Sequence, residues 1–182
     1  MLLSAVLASL KRLVRLFEAK GIDYMIIGGY ALPFYGRIRT TLDVDLAVAV
    51  KGEKELKQLR GWLESAGFEM TLYSPSNPVQ VIVDRKEKVE LELWLKPDGV
   101  VFDVETLRRR KRVKLSTGLE VWIISVEDFI VNKLARPDRG AVDEQDVKSV
   151  LVRQQGKLDT KYLNKRTKQT QIQTTLKTIQ AI

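Results

Sequence analysis

Cysteine and histidine are both absent from this chain of 182 residues. Without cysteine there are no disulfides, no thiol nucleophile and no thiolate-held zinc. Without histidine, Ser-His-Asp chemistry, imidazole bases and imidazole-ligated metals drop out as well. Any catalysis must rest on carboxylates, lysine, arginine, tyrosine, hydroxyls or a hard cation. That restriction favours phosphoryl or nucleotidyl transfer over most hydrolytic chemistry. Long apolar runs are missing too, and nothing approaches the ~18 residues of a membrane span. The apolar stretch from Leu2 to Leu10 resembles the hydrophobic part of a signal peptide, but no basic side chain precedes it. Its pattern continues as Leu3, Val6, Leu7, Leu10, Leu13, Val14 and Phe17, the spacing of an amphipathic helix docked on a core. The chain is therefore expected to be cytoplasmic, with no membrane partner.

Apolar residues make up 45% of the chain, enough to bury a core, and the length suits one domain or a domain with an appendage. The formal net charge of +8 fits a polyanionic ligand such as an NTP, tRNA or other nucleic acid. Two basic runs stand out: Arg108-Arg109-Arg110-Lys111-Arg112, and the tail carrying Lys165, Arg166, Lys168 and Lys177. Solvated faces explain these runs as well as a nucleic-acid patch does, and no aromatic residues interleave them.

Periodicity and turn residues predict the order helix, strand, helix, strand, helix, strands, then helices. The strands are expected at Tyr24–Ile27, Asp43–Val50, Phe68–Tyr73, Val79–Asp84, Lys88–Leu95 and Leu119–Ile123. Short helices are expected from Gly29 to about Tyr35 and over Asp103–Arg112, with a longer one over Gly52–Ala66. Ser125 with Asp128 marks a capped helix over Val126–Ala135. Another helix is expected at Asp143–Gln154 with Asp143 as its cap, followed by a weakly packed helical tail from Asp159. The fold class is α/β: a mixed sheet flanked by helices, with a helical C-terminal part. Residues 1–124 form the core with the first helix docked on it, and 125–182 the helical, basic-tailed region.

The most informative stretch is Tyr24 to Ala49. An apolar run ends in Gly28-Gly29, a helix-like segment follows, and Arg39-Thr40-Thr41-Leu42-Asp43-Val44-Asp45 opens a second apolar run. Aspartates at i and i+2 of a strand share one face. Aspartate is disfavoured inside a strand, so the pair needs a local reason. Magnesium is held by one or two carboxylates plus substrate phosphates, which makes Asp43 and Asp45 candidate ligands. A glycine turn entering a helix offers N–H groups to phosphate oxygens, although no P-loop spacing follows it. Arg39 could contact NTP phosphates or brace its loop, and Thr41 could orient a carboxylate or only pack. A third carboxylate is expected from a neighbouring strand, where Glu90 and Glu92 lie on one face; either could serve. Two metals about 3.5–4 Å apart would then activate the attacking hydroxyl and stabilise the leaving pyrophosphate. Lys133 could neutralise a triphosphate or meet its helix dipole. Asp143 and Asp146 read as caps or as partners of Lys133 or Arg139.

Taken together, Gly-Gly followed by Arg-x-Thr-x-Asp-x-Asp at a strand start resembles the DNA polymerase β-like nucleotidyltransferase superfamily. The nearer likeness is to its minimal branch, with AbiEii-type toxins, stand-alone enzymes and aminoglycoside nucleotidyltransferases, and covers roughly Leu10 to Leu151. The resemblance implies a mixed-sheet core binding an NTP with Mg2+ (or Mn2+). Gly28 and Gly29 would meet the phosphates, Asp43 and Asp45 would bind metal, Glu90 or Glu92 would be the third carboxylate, and Lys133 the helical lysine. Two positions depart from the pattern: Gly28-Gly29 stands where many members have Gly-Ser, and the third carboxylate is Glu where Asp is usual.

The activity expected is transfer of an NMP from an NTP to an acceptor hydroxyl, with release of pyrophosphate. The acceptor is a protein, a tRNA end or a small molecule, and the basic surplus tilts towards RNA or protein. One rival is a catalytically decayed nucleotide- or partner-binding module of toxin–antitoxin type, with a cognate partner protein. A second is a basic nucleic-acid-binding protein.

Overall fold

The computed structural model describes residues 2–41 and 43–180, the side chains of Leu2 and Leu72 excepted. Leu42 of the aspartate motif and residues 181–182 of the expected helical region lie outside the described residues. In chain order come α1 (Leu2–Lys20), β1 (Tyr24–Ile26), α2 (Gly28–Ala31) with a 3-10 turn at Leu32–Phe34, β2 (Asp45–Val48) and α3 (Gly52–Ser65). Next are β3 (Phe68–Leu72), β4 (Val79–Asp84), β5 (Val89–Trp94), α4 (Val104–Arg109), β6 (Lys111–Ser116) and β7 (Leu119–Ile123). Four helices close the described chain: α5 (Val126–Ala135), α6 (Ala141–Arg153), α7 (Thr160–Gln169) and α8 (Gln173–Gln180).

Four elements differ from the sequence reading. The basic helix expected over 103–112 stops at Arg109, and Lys111–Ser116 is a strand. Val113 is buried between exposed Arg112 and Lys114, and Gly118 at φ +71° closes a two-residue turn into β7, so this is a hairpin arm. The helix expected over 29–35 breaks after Ala31 because Pro33 has no N–H to continue the ladder. Asp143 is not the cap of α6: Gly140 is, and Asp143 sits in the first turn, accepting from the Gly140 N–H at 3.3 Å. The tail is not weakly packed either. Asp159 caps α7, and Tyr162, Leu163, Leu176 and Ile179 are buried.

The described chain divides into two units. The first comprises 1–26, 42–96 and 112–123 and contains a mixed seven-stranded sheet, ordered β3-β4-β5-β2-β1-β7-β6. β2 runs parallel to β5 and β1 parallel to β7; β1–β2, β3–β4 and β4–β5 are antiparallel. The apolar stripe of α1 (Val6, Leu10, Leu13, Val14, Phe17) is buried, and α1 packs on β5 and on α3. Leu56, Leu59 and Leu63 of α3 complete that layer. Each such side chain contributes about 1.5–3 kcal/mol by leaving water.

The second unit comprises 27–41, 97–111 and 124–182. Its centre is α5, buried from Glu127 through Leu134, packed against α6 and α7. The Ser125 hydroxyl accepts from the Asp128 N–H at 3.1 Å, the predicted cap. Besides 124–182, the helical unit takes in the glycine turn and arginine loop of 27–41 and the segment 97–111.

Candidate active site

The sheet unit brings two acidic residues of the sequence reading side by side. In the parallel β2–β5 pair, Asp45 lies opposite Glu92, Leu46 opposite Leu93 and Ala47 opposite Trp94. Leu46 and Leu93 are fully buried. Alternation therefore turns Asp45 and Glu92 to the other face, together with Trp94. The Trp94 indole N–H donates to Glu92 Oε2 at 3.1 Å and to Asp45 Oδ1 at 3.3 Å. Burial raises the Glu92 carboxyl above its ordinary value, the charge of Asp45 raises it further, and Asp43 adds to the same effect. Asp43 itself is exposed and precedes the strand. Glu90 is exposed and faces Val83 of β4, one repeat of the strand away from Glu92.

These residues fit a hard divalent cation. A pair of carboxylates this close repel one another, and the chain's own neutral donor, an indole, offsets only part of that. Among the described residues no three ligating groups are gathered into a ready-made cage. Magnesium does not need one, because it takes one or two carboxylates and completes its shell with water and substrate phosphates.

The helical unit holds the remaining candidates. Gly28, at φ +61°, adopts a conformation that disfavours side chains, and it opens the single turn of α2. A Cβ on Gly29 would lie 2.7 Å from the Thr41 Cβ and Oγ1. Thr41 is thus packed on the glycine turn, and this close approach is a structural reason for Gly29 besides any phosphate contact. Arg39 is spent partly on Asp146, with Nε and Nη2 each 3.2 Å from Oδ2. Arg37 binds the same carboxylate, its Nε donating to Oδ1 at 2.9 Å. Lys133 lies in the last turn of α5 and is buried; its ammonium donates to Asp143 at 2.8 Å and stands 3.4 Å from Asp146. Arg136 approaches Asp143 at 3.8 Å. Burial pushes Asp143 up, but the Lys133 hydrogen bond and charge outweigh it and leave the carboxyl below its usual range. Arg136 is paired chiefly with Asp138 at 2.9 Å, so three cations, Arg37, Arg39 and Lys133, share two carboxylates, a local surplus of positive charge that suits phosphate. Arg37 and Arg39 keep 34% and 27% of their side chains exposed, so the surplus reaches solvent through them rather than through Lys133.

Four of the nine basic residues in the two runs are paired with carboxylates where they stand. In the helical unit Arg109 pairs with Asp159 at 2.7 Å, Lys165 with Glu105 at 2.7 Å, and Arg166 with Asp103 at 2.8 Å. In the sheet unit Arg112 pairs with Glu18 at 2.7 Å.

Trp94 and Arg37 are the residues that sequence reasoning missed. Both carried a signal: Trp94 lies at i+2 from Glu92 on the strand, and Arg37 precedes Arg39 by the same step.

A mixed sheet flanked by helices, with paired carboxylates on adjacent parallel strands, suits the transfer of nucleotides held through a cation. The chain belongs to the family described as "Nucleotidyl transferase of unknown function (DUF2204)", whose model matches residues 6–177. It is accordingly a nucleotidyltransferase. No curated protein matches it by sequence. Solved structures match in fold. The antibiotic-resistance factor ANT(2'')-Ia shares 14% identity over 97% of this chain and 96% of its own, with a TM-score of 0.59. The lincosamide antibiotic adenylyltransferase LnuA, determined with lincomycin bound, shares 17% over 76% of this chain and 91% of its own, at 0.50. An antigenic nucleotidyltransferase-like protein from Paracoccidioides brasiliensis shares 19% over 94% and 90%, at 0.52. No described helix is long and apolar enough to cross a membrane.

Proposed function

We propose that this chain moves a nucleoside monophosphate from an NTP to the hydroxyl of a small-molecule acceptor, using Mg2+, or Mn2+ in its place, held by Asp45 and Glu92, with Asp43 a further ligand on the superfamily pattern. The observation that carries the reading is the in-register pair Asp45 and Glu92, with Glu92 raised by burial and by its acidic neighbours. The register favours Glu92 over Glu90 as the third carboxylate. When bound, the cation supplies charge neutralisation for the triphosphate and for the attacking oxygen.

The chain's residues do the rest by positioning and charge. Glu92 accepts the proton of the acceptor hydroxyl as its oxygen bonds to the α-phosphorus. The bond to the bridging oxygen breaks, and pyrophosphate departs with that oxygen. Within the helical unit, Arg37 and Arg39 are held by Asp146, which Lys133 also approaches, and they offer positive charge to an anion. Gly28 and Gly29 are assigned to the phosphates by the family pattern.

The acceptor class is argued from two sides. Local pairing of Arg109, Arg112, Lys165 and Arg166 makes the two basic runs weaker candidates for an RNA surface. Structures of similar fold are described with lincomycin and with adenylyl-2''-tobramycin. The test is incubation with α-labelled NTPs, Mg2+ and a panel of hydroxylated amines and sugars. Label transferred to a small acceptor by the wild type, and reduced at least about a hundredfold in Asp45→Asn, is the result expected. Label moving only to protein or RNA would exclude the small-molecule acceptor. No transfer to anything, with NTP still bound, would exclude catalysis.

A further inference from the structure

Trp94 is a half-buried aromatic on the same face of β5 as Glu92, with a fully buried Ala47 as its cross-strand neighbour on β2. Alanine there leaves room for the indole to lie against the strand pair. The ring is turned so that one N–H serves two carboxylates at once, at 3.1 and 3.3 Å. A tryptophan that only filled space would have no need to aim its single donor at a pair of acids. Glutamate has one methylene more than aspartate, and an unrestrained Glu92 would sweep its carboxylate through several rotamers.

We propose that Trp94 is a positioning residue: its indole N–H holds the Glu92 carboxylate beside Asp45, so that the longer acid presents its oxygens with those of Asp45 to one divalent cation. Glu92 and Trp94 together then do what a shorter acid does alone. This inference rests on the metal reading above. It deepens that reading by naming the group that fixes the ligands from behind, a role whose loss typically costs 10–100-fold in metal affinity.

The probe is Mn2+ alone, its free concentration followed by electron paramagnetic resonance. Trp94→Phe should bind Mn2+ at least about tenfold more weakly than the wild type. Trp62→Phe, on α3, should bind as the wild type does. In Glu92→Asp the shortened arm no longer reaches the indole, which keeps only its longer contact with Asp45, so adding Trp94→Phe there should cost less than it does in the wild type. Wild-type affinity in Trp94→Phe, or a full additional loss in the double variant, would overturn the proposal. Absence of Mn2+ binding by the wild type itself would instead overturn the metal reading on which it rests.

A second measurement leaves Trp94 in place, in case its replacement unfolds the chain. The protein has three tryptophans, so Trp62→Phe/Trp122→Phe makes Trp94 the sole emitter. Mn2+ should quench that emission, and adding Asp45→Asn/Glu92→Gln should shift it and abolish the quenching. Emission indifferent to both the carboxylates and Mn2+ would contradict the contact.

Discussion

Glu92 shows how a single residue couples stability to the site. Its carboxyl is raised by burial first, then by Asp45, with Trp94 pulling the other way. An acid whose folded value lies above its unfolded one stabilises the fold most below the unfolded value. That contribution is lost as pH rises through the folded value. In metal-free buffer at neutral pH, ionised Glu92 therefore weakens the fold, and Glu92→Gln should melt higher than the wild type. The difference should close towards pH 4, where the wild-type carboxyl is protonated. Mg2+ should stabilise the wild type at neutral pH and leave Glu92→Gln nearly unmoved. Melts in EDTA and in Mg2+ across this range check the sign; a Glu92→Gln protein less stable than the wild type in EDTA at pH 7 contradicts it.

At the scale of elements, the helical tail is fastened by a buried polar chain. The Tyr162 hydroxyl of α7 donates to Asp128 of α5 at 2.8 Å, and Arg166 donates to that hydroxyl at 2.9 Å and to Asp103 at 2.8 Å. Burial, then the Asp128 charge, pushes the Tyr162 phenol up to about 12. Tyr162→Phe strips a buried carboxylate and a buried guanidinium of one partner each, a loss of about 1–3 kcal/mol. The melting temperature should fall by about 2–4 °C for each kcal/mol, and an unchanged midpoint would show that the network does not secure α7. This network also explains why the tail looked loose in sequence. Its apolar positions are few, and the polar residues that anchor it find partners some 30 to 60 positions away. By contrast, α1, α3 and α5 were legible because a 3.6-residue apolar stripe or a Ser–Asp cap is written locally. The β6 strand was hidden because charged residues fill its exposed face, which made a basic helix the simpler reading.

For the whole molecule, the class of fold was legible in the order of elements, and the acidic half of the candidate site in Asp43-Val44-Asp45, of which only Asp45 lies on the strand. The choice between Glu90 and Glu92 was not, since both share a strand face; only the pairing register of β5 against β2 separates them. Asp143 and Asp146 were read as caps or as partners of Lys133 or Arg139, and it is the packing of α5 against α6 that puts both beside Lys133. The central claim is that this chain holds an NTP through a cation on its paired carboxylates. Thermal stability with each NTP, with and without Mg2+, tests it without knowledge of the acceptor. A ligand at a hundred times its Kd adds about 2.7 kcal/mol to the folded state. The account predicts a Mg2+-dependent rise in melting temperature for the wild type that disappears in Asp43→Asn/Asp45→Asn. A rise of equal size in the double variant, or none in the wild type with any NTP, would contradict it.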